Sequence, residues 1–80
     1  MDHFFVYALK SLKDGRIYVG FTEDLERRIK EHNSGKTSST KAWVPWELWY
    51  SEKVSTRIEA RNREKYLKSG IGKEYLKSLK

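Results

Sequence analysis

The pattern of apolar residues predicts an α/β fold, a small three-stranded antiparallel sheet flanked by helices, in the order β-β-α-β-α with a short C-terminal helix. Three observations carry this. Two strand-like runs are joined by Asp14-Gly15, a capped helical pattern follows them, and a third strand leads into a second capped helix.

The elements follow in order. His3 to Ser11 is rich in aromatic and β-branched residues, and Arg16 to Phe21 is a second short strand. Asp14-Gly15 between them fits a two-residue hairpin turn, which needs positive φ at both positions. Thr22-Glu23-Asp24 starts a helix running from Asp24 to about Asn33 and stopping at Gly35, with acidic residues where the helix dipole favours them. Gly35 to Pro45 is small and polar, a loop. Trp46 to Lys53 reads as the third strand. Thr56 with Glu59 three residues later forms a capping box for a helix reaching about Ser69. Gly70 and Gly72 interrupt it, and a last short helix starts at Lys73.

Eighty residues give room for a single domain, 1–80. A chain of this size hides only roughly 60–65% of its unfolded surface, so its core is thin. An aromatic content of 14% is too high for a disordered tail. With no cysteine, disulfides, thiolate catalysis and cysteine-ligated zinc are excluded. No apolar run approaches the roughly 18 residues of a membrane span, and Met-Asp-His-Phe-Phe-Val is not a signal peptide. The expectation is a soluble cytoplasmic protein. Its net charge of +6 is uneven: residues 1–40 carry seven basic and six acidic side chains, residues 41–80 ten and five. A basic half is the footprint of a phosphate-binding surface.

Geometry then singles out polar residues. A two-residue turn pairs Ser11 with Tyr18 and Leu9 with Gly20, and puts Tyr7, Leu9 and Ser11 on the face of Tyr18 and Gly20. Two phenols share that face beside a glycine that leaves open space; ordinary strand packing also explains a tyrosine pair. On the first helix Leu25 and Ile29 define the buried side, and Arg28 and His32 fall on it, either at a core edge or facing a cleft. On the second, Ala60, Leu67 and Ile71 make an apolar stripe that contains Glu64. A carboxylate there is either salt-bridged, to Arg61 or Lys68, or bound to a metal. Arg57, Arg61 and Lys68 form a basic ridge alongside. Five polar residues thus converge on one side of the sheet.

Other signals are weaker. Gly35-Lys36-Thr37 lacks the upstream glycine of a phosphate loop, since Lys30 occupies that position, and it follows a helix. His3 and His32 do not have zinc spacing. Trp43, Trp46 and Trp49 recur every three residues, as a stacking surface for bases or, next to Pro45 and a strand, as packing.

In order and spacing the chain resembles the GIY-YIG nuclease domain, in particular its small stand-alone bacterial members, and is similar to the incision domain of excision repair. Phe5-Val6-Tyr7 stands in place of Gly-Ile-Tyr, and Tyr18-Val19-Gly20 in place of Tyr-Ile-Gly. The segment from Thr22 to His32 looks like the one that carries the family's arginine, here Arg28, with His32 where members carry histidine or tyrosine. Glu59-Ala60-Arg61-Asn62-Arg63-Glu64 is similar to the family's EA…E helix, whose second glutamate binds the metal. A later family asparagine is not matched, since Leu76 falls near its place.

The resemblance implies a DNA endonuclease that hydrolyses phosphodiesters with one Mg²⁺ or Mn²⁺ held by Glu64. It also implies a tyrosine, Tyr7 or Tyr18, that helps deprotonate water, Arg28 to depress its pKa or stabilise phosphate charge, and His32 to orient the tyrosine or relay its proton. Gly20 belongs to the motif itself. DNA contacts are expected from Arg57, Arg61 and Lys68, with Lys36 and Lys41 in the loop, and a partner protein supplies specificity. The alternative is a non-catalytic nucleic-acid-binding module of the same fold.

Overall fold

A computed structural model describes residues 3–79. Its elements run β1 (Phe4–Ser11), β2 (Ile17–Thr22), α1 (Leu25–Asn33), a 3-10 turn at Lys41–Trp43, β3 (Trp46–Val54), α2 (Arg57–Lys68) and α3 (Gly70–Ser78). The strands form one antiparallel sheet in the order β2-β1-β3, the architecture the sequence predicts. Among the described residues no helix is long and apolar enough to cross a membrane.

The hairpin register differs from the expected one. Leu9 pairs with Tyr18, and Tyr7 with Gly20. The cause is Ser11, whose Oγ accepts the amides of Lys13 at 3.0 Å and Asp14 at 3.3 Å. The Asp14 carboxylate then accepts the Arg16 amide at 3.1 Å. These side-chain bonds wind the chain into a longer loop, closed by Ser11 N–H on the Arg16 carbonyl at 2.9 Å, with Gly15 at φ +81°. The slip is two residues. Strand side chains alternate with period two, so every residue keeps its expected face.

Each sheet face has its own core. Val6, Ala8 and Val19 pack with Ala60, Leu67 and Leu76, so α2 and α3 cover that face. Tyr7, Leu9 and Trp46 pack with Tyr18, Leu25 and Ile29, so α1 covers the other. β3 serves both through a bulge: Ala8 pairs with Tyr50 and Leu9 with Leu48, leaving Trp49 as the extra residue. Trp46 and Leu48 therefore share the face of Leu9 and Ser11, whereas Tyr50, Glu52 and Val54 share the face of Ala8, Val6 and Phe4. The three tryptophans are divided between the layers and make no common stacking surface.

The helix ends follow their capping residues. Asp24 is the N-cap of α1 rather than its first residue, and its carboxylate accepts the Arg27 amide at 3.1 Å. Thr56 accepts the Glu59 amide at 3.1 Å, the forward half of the expected capping box, worth about 1 kcal/mol. α3 begins at Gly70 rather than Lys73, because Ser69 Oγ accepts the Gly72 amide at 3.3 Å and restarts the helix. Gly72 lets α3 fold tightly onto α2, since a Cβ there would strike the Tyr66 carbonyl and the Leu67 Cα. Ile71 consequently lies outside the α2 stripe and is 73% exposed, and Leu76 takes the buried place.

Candidate active site

The site is built on the α1 face of the sheet. β1 contributes Tyr7, β2 Tyr18 and Gly20, and α1 Arg28 and His32. Tyr7 and His32 are fully buried. The Tyr7 hydroxyl lies 3.0 Å from His32 Nε2, and His32 Nδ1 lies 2.9 Å from Thr40 Oγ1. The Tyr18 ring stacks edge-on against His32 at 5.0 Å between centroids, and no protein partner hydrogen-bonds its hydroxyl among the described residues. Gly20 does not leave open space: the Tyr7 hydroxyl fills it, at 2.8 Å from where a Cβ would stand.

The electrostatics favour the neutral forms of both Tyr7 and His32. Burial pushes the Tyr7 phenol up to about 12; Arg28 opposes this, and the charges of Tyr18 and Glu64 add to it. Burial, and then the Arg28 charge, lower His32 below its ordinary value. A neutral imidazole can make both bonds in either tautomer, and the tautomer that also leaves Thr40 free to donate to Thr37 is the one protonated at Nδ1. Tyr7 O–H donates to His32 Nε2, His32 Nδ1–H donates to Thr40 Oγ1, and Thr40 donates to the Thr37 carbonyl at 3.5 Å. Arg28 is held by Glu31, its Nη1 at 2.8 Å from Oε1, and that bond keeps the Glu31 carboxyl low and the guanidinium charged.

The His32 shift has a measurable consequence. A histidine whose pKa is lower folded than unfolded gives stability that is complete above the ordinary value near 6.5 and is lost as pH falls toward the folded value. Urea unfolding between pH 5 and 8 is expected to show stability falling below about 6.5, by no more than about 1.4 kcal/mol per pH unit from this residue. His32→Gln removes that dependence. An unchanged slope in the variant would refute the buried neutral state.

Glu64 departs from the expected convergence on one side. It comes from α2, in the opposite layer, yet its charge is felt at the Tyr7 phenol. It is not buried: its side chain is 24% exposed and pairs with Lys68 at 3.2 Å, one of the two salt bridges that helical spacing allows. Among the described residues no three His, Cys, Asp or Glu side chains cluster to hold a metal. Glu64 would be the one carboxylate here to hold a Mg²⁺ or Mn²⁺ ion, which would supply positive charge beside Tyr7 and Arg28. It has to displace an exposed ammonium, an ion pair of small worth.

The expected DNA contacts are spread more widely. Arg57 is exposed at the start of α2, its guanidinium 5.1 Å from the Phe4 ring centroid. Arg61 is exposed, and Lys68 is engaged with Glu64. Lys36 follows α1 and Lys41 begins the 3-10 turn, both exposed.

Three residues of the site escape a reading of the sequence. Thr40 is fully buried and backs His32, and its carbonyl accepts the Trp46 indole N–H at 3.0 Å. Asn33 clasps the Trp46 backbone, accepting its N–H at 2.6 Å and donating to its carbonyl at 2.9 Å, which ties the end of α1 to β3. Glu31 is three residues from Arg28, and helical spacing alone would have found that pair. No periodicity marks Thr40, which lies in a loop.

The GIY-YIG catalytic domain model matches residues 3–76. The chain belongs to the GIY-YIG family, a family of nucleases. It is 45% identical to a UPF0213 protein of Bacillus licheniformis over 68 residues, 84% of this chain and 68% of that one. To a UPF0213 protein of Staphylococcus saprophyticus it is 38% identical over 80 residues, 99% of this chain and 96% of the relative. The solution NMR structure of a UPF0213 protein from Bacillus halodurans matches with a TM-score of 0.58 at 37% identity, covering 95% of this chain and 83% of that one.

Proposed function

We propose that this protein is a cytoplasmic DNA endonuclease that hydrolyses phosphodiester bonds with one divalent ion at Glu64, its specificity supplied by a partner protein. The observation that carries the reading is the Tyr7–His32–Thr40 chain beside Arg28. In hydrolysis a water oxygen bonds to phosphorus, the bond from phosphorus to the leaving oxygen breaks, and the water proton needs an acceptor. Tyr7 takes that proton as its own passes to His32 Nε2. A free phenolate never has to form, so a pKa near 12 is no obstacle. His32 can accept because it is neutral, and Thr40 holds its tautomer. Arg28, fixed by Glu31, presents its guanidinium to the non-bridging oxygens. Tyr18, its hydroxyl unengaged, positions the phosphate or the water. The metal supplies charge neutralisation at the phosphate.

The test is a Mg²⁺ and Mn²⁺ titration followed by amide NMR, with wild type and Glu64→Gln, alone and with a short duplex. Shifts near Glu64, Arg28 and Tyr7 are expected in wild type and not in the variant. The Glu64–Lys68 pair favours a second reading, a nucleic-acid-binding module without catalysis. That reading prevails if the duplex binds identically with and without metal and remains uncut.

A further inference from the structure

On the sheet face opposite Tyr7, at the hairpin end, β1, β2, the bulge of β3 and α3 enclose a cavity of about 350 Å³. Four of its eight lining residues, Lys10, Arg16, Lys73 and Lys77, are cationic and none is acidic. The Arg16 guanidinium is paired with Asp14 at 2.7 Å and lies 3.9 Å from the centroid of the Trp43 ring, which packs in the opposite layer, so the cavity's free charge is that of Lys10, Lys73 and Lys77, which are in no ion pair among the described residues. Glu47, close to Lys10 across the sheet, and Glu74, between the two α3 lysines, do not line the cavity. Lys10 Nζ lies 4.2 Å from the centroid of the Trp49 ring, and the Trp49 indole N–H donates to the Leu76 carbonyl at 2.7 Å. The ring that holds this ammonium is therefore itself fixed, so one cation is positioned before any ligand arrives. Ile17, Trp49 and Leu79 provide an apolar floor.

We propose that this cavity is a second nucleic-acid site, a backbone anchor for a single strand, on the face away from Tyr7. Three unpaired lysines around a cavity that no carboxylate lines favour phosphates. An apolar floor beside them suits an unstacked base or sugar, which a single strand offers and a duplex keeps inside its stack. The choice of nucleic acid as the polyanion rests on the nuclease reading; the cavity's charge and shape do not.

Metal-free titration with tetrathymidylate, followed by amide and indole NMR, tests this. In wild type the Trp49 indole and the amides of Lys10, Lys73 and Lys77 are expected to shift. Lys73→Gln/Lys77→Gln is expected to weaken binding about tenfold at low salt and to reduce the salt slope by about 1.4, roughly 0.7 for each phosphate no longer neutralised. Lys10→Gln, on another element, gives an independent reading in the same direction. The metal-free titration reads the Trp49 side of the sheet directly, so absence of metal binding or of cleavage at the Tyr7 site leaves this result intact. The proposal is overturned if shifts fall only around Tyr7 and Arg28, if the lysine variants bind unchanged, or if thymidine 5′-monophosphate binds as tightly as the tetranucleotide.

Discussion

Tyr7→Phe is expected to reduce metal-dependent cleavage by about 100-fold or more, the range of a lost general base. The ring and its packing remain, but His32 Nε2 loses its partner, and in the proposed mechanism the attacking water loses its acceptor. A buried nitrogen left without a partner costs about 1–3 kcal/mol, so stability falls measurably but the fold survives. Tyr18→Phe, which removes a hydroxyl without a protein partner, is expected to leave stability unchanged and to lower cleavage less. Single-turnover cleavage of a labelled duplex, with urea unfolding of each variant, provides the comparison. Full activity in Tyr7→Phe together with a large loss in Tyr18→Phe would transfer the proton-accepting role to Tyr18.

Gly20→Ala is expected to damage both stability and cleavage. The added methyl meets the Tyr7 hydroxyl at 2.8 Å, its Cζ at 3.0 Å and Tyr18 Cε2 at 3.4 Å. Tyr7 cannot swing aside cheaply, because it is fully buried and tied to His32. Overpacking of this kind costs about 1–3 kcal/mol, and a displacement near 1 Å in the proton chain costs about 100-fold in rate. Tyr7→Phe partly relieves the clash by removing the nearest atom. The stability penalty of Gly20→Ala is therefore expected to shrink in that background, and additive penalties would show that the clash is elsewhere.

What the sequence makes legible is periodic. Alternation places Tyr7, Tyr18 and Gly20 on one face, and helical spacing turns Arg28 and His32 inward. Both survive a hairpin that closes two residues away from the expected register, because the slip is even. What it conceals is non-periodic. Ser11 redirects the hairpin by capturing amides, and Thr40 reaches His32 from a loop, neither with any pattern to announce it. Periodicity places Glu64 correctly on its helix, but the layer to which that helix belongs depends on the crossing after β3. Two packed layers are needed to see that its charge approaches Tyr7 from the opposite face. Periodicity misplaces Ile71, because a single glycine, Gly72, turns one apolar stripe into two short helices.

The bulge at Trp49 has a consequence for how the molecule is made. Of the three strands described, β1 is the first in the chain and lies at the sheet centre, but one of its neighbours is the last of the three. β3 delivers Trp46 to the layer of Tyr7 and Tyr50 to the other, so both interiors need that late strand with its extra residue in place. The end of α1 is tied to that strand by Asn33, which clasps the backbone of Trp46. Shortening β3 by one residue at the bulge would turn half the strand inside out, whereas the loop ahead of it can change length without reversing any side chain.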